Sequence, residues 1–110
     1  MPLEGTLDAT VDGDAPRLQF SVTNVGDEPV ELRFPDACKA EFVVEADDEE
    51  VWRFTEGRMF AQVLGSETLD AGETATYEAD CDALDPGRYV ARAELRARNE
   101  DCEASTTLTV

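Results

Sequence analysis

The feature that most constrains the fold is a series of short segments in which apolar and polar residues alternate. In the clearest segment, residues 18–23, every second side chain is apolar, as in a strand with one buried face. Turn residues such as Asp12-Gly13-Asp14 and Asp85-Pro86-Gly87 end the segments. The segments recur about every ten residues, and this spacing predicts eight or nine strands.

Antiparallel strands in this number are best accommodated in two sheets packed face to face. Residues 89–98 are rich in Ala and Arg and could form a helix by propensity, but their two-residue alternation favours a strand. The turn before Tyr89 resembles the tyrosine corner of immunoglobulin-like sandwiches, in which the hydroxyl bonds to an upstream backbone group. We therefore predict an all-β, immunoglobulin-like β-sandwich of two antiparallel sheets, with residues 1–110 forming one domain.

Large apolar side chains on the inward faces form the predicted core. These residues are Phe20, Leu32, Phe34, Trp52, Phe54, Phe60 and Tyr89. Trp52 is expected to lie between the sheets. Residues 60–67 alternate less regularly, and we predict one further strand there.

The net charge of −17 comes from 26 acidic and 9 basic residues, with Lys39 as the single lysine. Such a surface repels phosphate backbones and anionic lipid, so we expect neither nucleic-acid nor membrane binding. Disorder is the less favoured explanation, because 42% of the residues are apolar and fall in strand patterns. The composition favours a halophilic protein, since at ~1 M salt charges are screened over about 3 Å.

The sequence contains no histidine, which excludes Ser-His-Asp or Cys-His nucleophiles and histidine-bound zinc. Cys38, Cys81 and Cys102 are widely spaced, so free thiols in a reducing cytosol are favoured, and a Cys81–Cys102 disulfide is the alternative. Residues 8–13 resemble the start of a calcium loop, but its twelfth position is Gln19 and a turn explains them better. The acidic run at residues 47–50 is typical of a solvated turn. We expect no metal, no cofactor and no enzymatic activity.

No apolar run is long enough to span a membrane, and the N-terminus lacks the pattern of a secretory signal. We therefore expect a cytoplasmic protein. We also expect it to be a monomer.

The segment Val51-Trp52-Arg53-Phe54-Thr55-Glu56-Gly57-Arg58-Met59-Phe60 places three aromatic residues around a short polar loop. The simpler interpretation is that the aromatic rings pack in the core and that Gly57-Arg58 only forms a turn. The functional interpretation is that the residues between the rings are exposed and held rigidly, which lowers the entropy lost on binding.

Five motifs resemble those of the intracellular proteinase inhibitor (BsuPI-type) family. They are Glu28-Pro29-Val30-Glu31-Leu32-Arg33-Phe34-Pro35, Phe42-Val43-Val44, Val51-Trp52-Arg53-Phe54 with its continuation to Phe60, Leu69-Asp70-Ala71-Gly72-Glu73-Thr74 and Leu84-Asp85-Pro86-Gly87-Arg88-Tyr89. The acidic surface and Cys38 depart from the family pattern. The resemblance implies an immunoglobulin-like sandwich that inhibits an intracellular subtilisin-type serine protease.

The family motif defines no reactive residue, so the loop must be inferred. The candidate inhibitory residues are Thr55, Glu56, Gly57, Arg58 and Met59. A substrate-like mode requires the loop to enter the protease cleft in an extended form, with Arg58 or Met59 in the specificity pocket. The alternative function is a non-inhibitory immunoglobulin-like module that binds a partner through a sheet edge.

Overall fold

The computed structural model describes residues 3–57, 59–60 and 62–110, and the side chain of Asp12 is not described. These residues form nine strands and no helix, which confirms the all-β prediction. The strands are β1 (Leu3–Asp12), β2 (Ala15–Asn24), β3 (Val30–Phe34), β4 (Ala40–Ala46), β5 (Glu49–Arg53), β6 (Gly65–Leu69), β7 (Thr74–Asp80), β8 (Arg88–Leu95) and β9 (Glu103–Thr109). None of the described segments is a helix able to cross a membrane.

Antiparallel pairing arranges the strands in the orders β1-β2-β7, β5-β4-β8-β9 and β3-β6. The sequence did not predict the two-stranded ladder β3-β6 as a separate unit. It is linked to the segment that follows β8, because the Arg98 N–H donates to the Arg33 carbonyl at 2.7 Å.

The core lies between the two larger sheets and follows directly from the alternation. Every second residue of β2 and of β8 is buried. Phe20 of β2 meets Phe42 of β4 edge to face, with ring centroids 6.5 Å apart. Such contacts between facing sheets define the interior of a β-sandwich.

The tyrosine corner is present as predicted. The Tyr89 hydroxyl donates to the Asp85 carbonyl at 2.6 Å, and Tyr89 lies in β8. Residues 88–95 are therefore a strand, and the helical alternative is wrong.

The predicted strand at residues 60–67 is wrong in its limits, because β6 begins only at Gly65. Its partner β3 ends at Phe34, opposite Gly65, and Pro35 follows with no N–H to extend the ladder. Gln62, Val63 and Leu64 therefore precede the strand as exposed residues.

Two further expectations change in detail. The acidic turn is only Asp47-Asp48, and both residues have positive φ, 51° and 66°, as in a type I′ turn. Among the predicted core residues, Phe54 and Phe60 are half-buried, whereas Phe20, Leu32, Phe34, Trp52 and Tyr89 are buried.

Asn24 is a completely buried polar residue that ties the end of β2 to β6. Its Nδ2 donates to the carbonyls of Glu28 at 2.7 Å and Leu69 at 2.9 Å. Its Oδ1 accepts from the Gly26 N–H at 2.9 Å. All polar atoms of the side chain are therefore satisfied, as burial requires.

Candidate functional site

The loop that follows β5 is closed at its base by two aromatic rings. The Phe54 N–H donates to the Phe42 carbonyl at 2.9 Å, so the chain stays attached to β4 beyond the end of β5. The ring of Phe54 packs on Phe42, with centroids 5.6 Å apart, and on Phe60, with centroids 5.9 Å apart. The two ends of the segment are thus held together against the sandwich.

Glu41 of β4 fixes the first residue of this loop. Its carboxylate accepts the Thr55 hydroxyl at 2.6 Å and the Thr55 N–H at 3.3 Å. The Arg53 guanidinium lies 3.3 Å from the same carboxylate, whose side chain is only 15% exposed. Charge-assisted hydrogen bonds of this kind are stronger than neutral ones, so the loop begins at a fixed position.

The tip of the loop is a turn rather than an extended strand. The Glu56 N–H donates to the Arg53 carbonyl at 3.2 Å, and Gly57 has a φ of +74°. An extended conformation at residues 55–57, which a substrate-like mode requires, is therefore not observed. Arg58, one of the two candidates for the specificity pocket, lies outside the described residues.

Met59, the other candidate, is 99% exposed. Val63 and Leu64 follow at 65% and 74% exposure. Residues 59–66 contain no charged side chain, although the protein carries a net charge of −17. Exposed apolar residues grouped in this way are typical of interaction surfaces. This uncharged stretch is the signal by which residues 62–64 could have been found from the sequence.

The cysteines and the possible metal ligands lie elsewhere in the fold. Cys38, Cys81 and Cys102 are free and buried, and no disulfide joins Cys81 to Cys102. Burial raises the pKa of Cys81 to about 11 and also raises that of Cys102, so both thiols are protonated at neutral pH. In the part of the chain that the structure describes, no group of three or more Cys, Asp or Glu side chains is arranged to hold a metal.

The fold and the loop together define a class, an immunoglobulin-like domain that presents an exposed apolar side chain from a loop with fixed ends. The family model for BsuPI, intracellular proteinase inhibitor, matches residues 3–100. This chain belongs to that family.

Several solved structures share the fold. A CARDB domain from Pyrococcus furiosus superposes with a TM-score of 0.55 at 14% identity, over 99% of this chain and 94% of that one. A GH3 β-glucosidase from Bifidobacterium adolescentis has a TM-score of 0.53 at 14% identity, over 98% of this chain. A β-glucosidase from Kluyveromyces marxianus has a TM-score of 0.54 at 16% identity, also over 98% of this chain.

This chain spans only 17% and 14% of the lengths of those two β-glucosidases. At these identities the similarity concerns the fold alone. A comparison with curated proteins gave no significant sequence match.

Proposed function

We propose that this protein inhibits an intracellular subtilisin-type serine protease and that residues 55–59 form the loop that contacts the protease cleft. The observation that carries the proposal is the position of Met59. This side chain is 99% exposed and follows a turn whose flanking rings, Phe54 and Phe60, pack on one another. Membership of the BsuPI family supports the activity.

The anchoring of the loop supports an inhibitory mode of binding. Thr55 is held by Glu41, and Phe54 and Phe60 hold the two ends together. A loop whose ends are already fixed loses less conformational entropy on binding, and the fixed ends oppose the distortion that cleavage requires.

Either Arg58 or Met59 is the side chain that fills the specificity pocket. Met59 is unbranched and apolar, so it can fill an irregular apolar pocket. Arg58 would suit a pocket with an acidic group. The turn at residues 55–57 precedes the exposed Met59 and does not itself pair with the protease as a strand.

Alanine substitutions test the loop. We expect alanine at Arg58 and Met59 to weaken inhibition of a purified subtilisin-type protease at least tenfold, and each single variant is also measured. A tenfold change corresponds to about 1.4 kcal/mol of binding free energy. Val51→Ala is the matched control, since Val51 is also an exposed apolar residue but lies in β5. Unchanged inhibition by both loop variants would reject residues 55–59 as the contact.

A salt series tests how the complex is held together. A protease from the same salty cytosol would also be acidic, so long-range attraction cannot bring the two proteins together. Apolar contacts and shape would supply the affinity, and screening over about 3 Å at ~1 M salt would weaken the repulsion. We expect inhibition to persist or strengthen as the salt concentration rises. Inhibition that declines steadily with added salt contradicts this explanation.

A further inference from the structure

Met59 is the one sulfur-containing side chain that is open to solvent among the described residues. Its exposed fraction is 99%, whereas Cys38, Cys81 and Cys102 are buried. Met1, the other methionine of the sequence, lies outside the described residues. Because the oxidation of a sulfur atom depends on its exposure, Met59 is the described side chain that an oxidant in solution reaches most readily.

The three thiols compete poorly with Met59 for an oxidant. The reactive form of a cysteine is the thiolate rather than the thiol. Burial raises the pKa of Cys81 to about 11 and also raises that of Cys102, so both carry a proton at neutral pH. Cys38 is 2% exposed, and its thiol donates a hydrogen bond to the Ala40 carbonyl at 3.3 Å. Oxidation is therefore directed to the thioether of Met59.

Met59 also lies where a change of polarity would affect binding. It follows the turn at residues 55–57 and precedes Phe60, whose ring packs on Phe54. Residues 59–66 carry no charged side chain, so the proposed contact with the protease is apolar. A thioether suits such a contact because it is flexible and apolar, whereas an oxygen atom on the sulfur makes the same side chain polar.

We propose that Met59 is an oxidation site, and that inhibition is switched off when hydrogen peroxide converts its thioether to the sulfoxide. This inference rests on the proposed inhibitory function and takes Met59 as a side chain that the protease covers. Burying a polar group in an apolar pocket without a hydrogen-bond partner is unfavourable, so the sulfoxide form binds the protease less tightly. The fold itself is preserved, because a side chain that is 99% exposed contributes little to the packing of the sandwich.

The reaction transfers one oxygen atom to the protein. The sulfur of Met59 forms a bond to one oxygen of the peroxide as the O–O bond breaks, and the other oxygen leaves with both hydrogens as water. The sulfur is oxidised and the peroxide is reduced. In the reverse reaction, a methionine sulfoxide reductase uses two thiols, which become a disulfide, and the sulfoxide oxygen leaves as water. The site can therefore be changed in both directions.

Peroxide treatment of the whole protein tests the switch. After incubation, catalase removes the remaining peroxide, and peptide mass spectrometry locates the added oxygen. We expect the oxygen on Met59 and a roughly tenfold weaker inhibition of a purified subtilisin-type protease. The thermal unfolding of the oxidised protein should be unchanged, which separates the loss of a contact from the loss of the fold. Methionine sulfoxide reductases for both sulfoxide epimers, supplied with a thiol, should restore inhibition.

Two variants connect the effect to residue 59. Met59→Leu replaces the thioether by an apolar side chain of similar volume that contains no sulfur. Each protein is compared with its own untreated sample, so the starting affinity of the variant does not enter. We expect peroxide to leave the inhibition by Met59→Leu as it was before treatment. Adding Val51→Met to this variant places an exposed thioether in β5, and its oxidation should also leave inhibition as it was.

The rate of oxidation in the complex gives a second readout. When the protease covers Met59, peroxide should oxidise it roughly tenfold more slowly than in the free protein, because access to the sulfur is lost. The methionine introduced by Val51→Met should be oxidised at the same rate in the complex and in the free protein. Equal rates at Met59 in the two states would mean that the protease does not cover this side chain, and would overturn the switch.

The outcomes distinguish the switch from the inhibition on which it rests. Full inhibition by a protein whose Met59 is oxidised would overturn the switch and leave the proposed function intact. An equal loss of inhibition in peroxide-treated Met59→Leu would place the sensitive group elsewhere and overturn the switch as well. The same holds if the oxygen is found on a cysteine while Met59 is unmodified. Absence of inhibition by the untreated protein would overturn both proposals.

Discussion

The two ends of β5 lead into connections of opposite character. At its start, Asp47 and Asp48 form a two-residue turn of exposed, charged side chains. At its end, the chain continues through a fixed turn into an uncharged stretch in which Met59, Val63 and Leu64 are exposed.

The contrast separates a connection that only reverses the chain from one that leaves apolar side chains exposed. Carboxylates in the first turn remain hydrated, and the turn only has to reverse the chain. The second connection leaves apolar side chains exposed to water. Each Å² that stays exposed lacks the favourable free energy of about 25 cal/mol that burial would give. The first residue of this connection is hydrogen-bonded to Glu41, and the ring of Phe54 packs against Phe60 at its base. A partner that covers this surface would recover the lost burial.

Removing the anchor should have the largest effect on the second connection. Glu41→Ala leaves the Thr55 hydroxyl and N–H without their acceptor, and we expect a loss of about 2 kcal/mol in the free energy of unfolding. A urea titration at fixed salt measures this loss. Glu45→Ala, on the same strand, removes only an exposed pair with Arg92 and should cost about 0.5 kcal/mol. Equal losses in the two variants would mean that Glu41 does not anchor the loop.

A substitution in the turn at the loop tip should have the second-largest effect on stability. Gly57 has a φ of +74°, and Gly57→Ala should cost about 1 kcal/mol because a Cβ is strained in that conformation. Gly65 serves as the control, since its φ is not in the left-handed region and no atom lies within 4 Å of an added Cβ. Thermal unfolding of both alanine variants makes the comparison. A Gly57→Ala protein as stable as Gly65→Ala would contradict the turn geometry.

The acidic turn should give the smallest effect, and of opposite sign. Asp48 has a φ of 66°, and glycine is favoured at the second position of a type I′ turn. We expect Asp48→Gly to raise the free energy of unfolding by about 0.5 kcal/mol and to leave inhibition unchanged. Asp48→Asn separates the loss of charge from the relief of strain. Weaker inhibition by Asp48→Gly would show that both ends of β5 take part in binding.

Most of the fold was predicted, because residue alternation and turn motifs reflect interactions between residues that are close in sequence. Alternation in residues 18–23 identifies β2, and the turn before Tyr89 identifies the tyrosine corner. The limits of β6 could not be read in this way, because they depend on where β3 ends at Phe34. Phe54 and Phe60 were assigned to the core by their size, whereas they pack together at its margin and stay half-buried.

The candidate site was only partly accessible from the sequence for a related reason. Glu41 is one of 26 acidic residues, and only the antiparallel return of β5 beside β4 brings it to Thr55. The position of the β3-β6 ladder likewise depends on Arg33 bonding to residues 98–99, far along the chain. Such long-range pairings carry no signature in a single segment.

Strand β6 is short, and its length limits how copies of the protein can pair with one another in a crowded solution. Five residues at about 3.3 Å each give a strand of roughly 17 Å, and only two of them present outward donors and acceptors. The far side of β3 is already occupied by Asn99. The outer edge of β6 therefore offers other copies of the domain only a short template on which to pair.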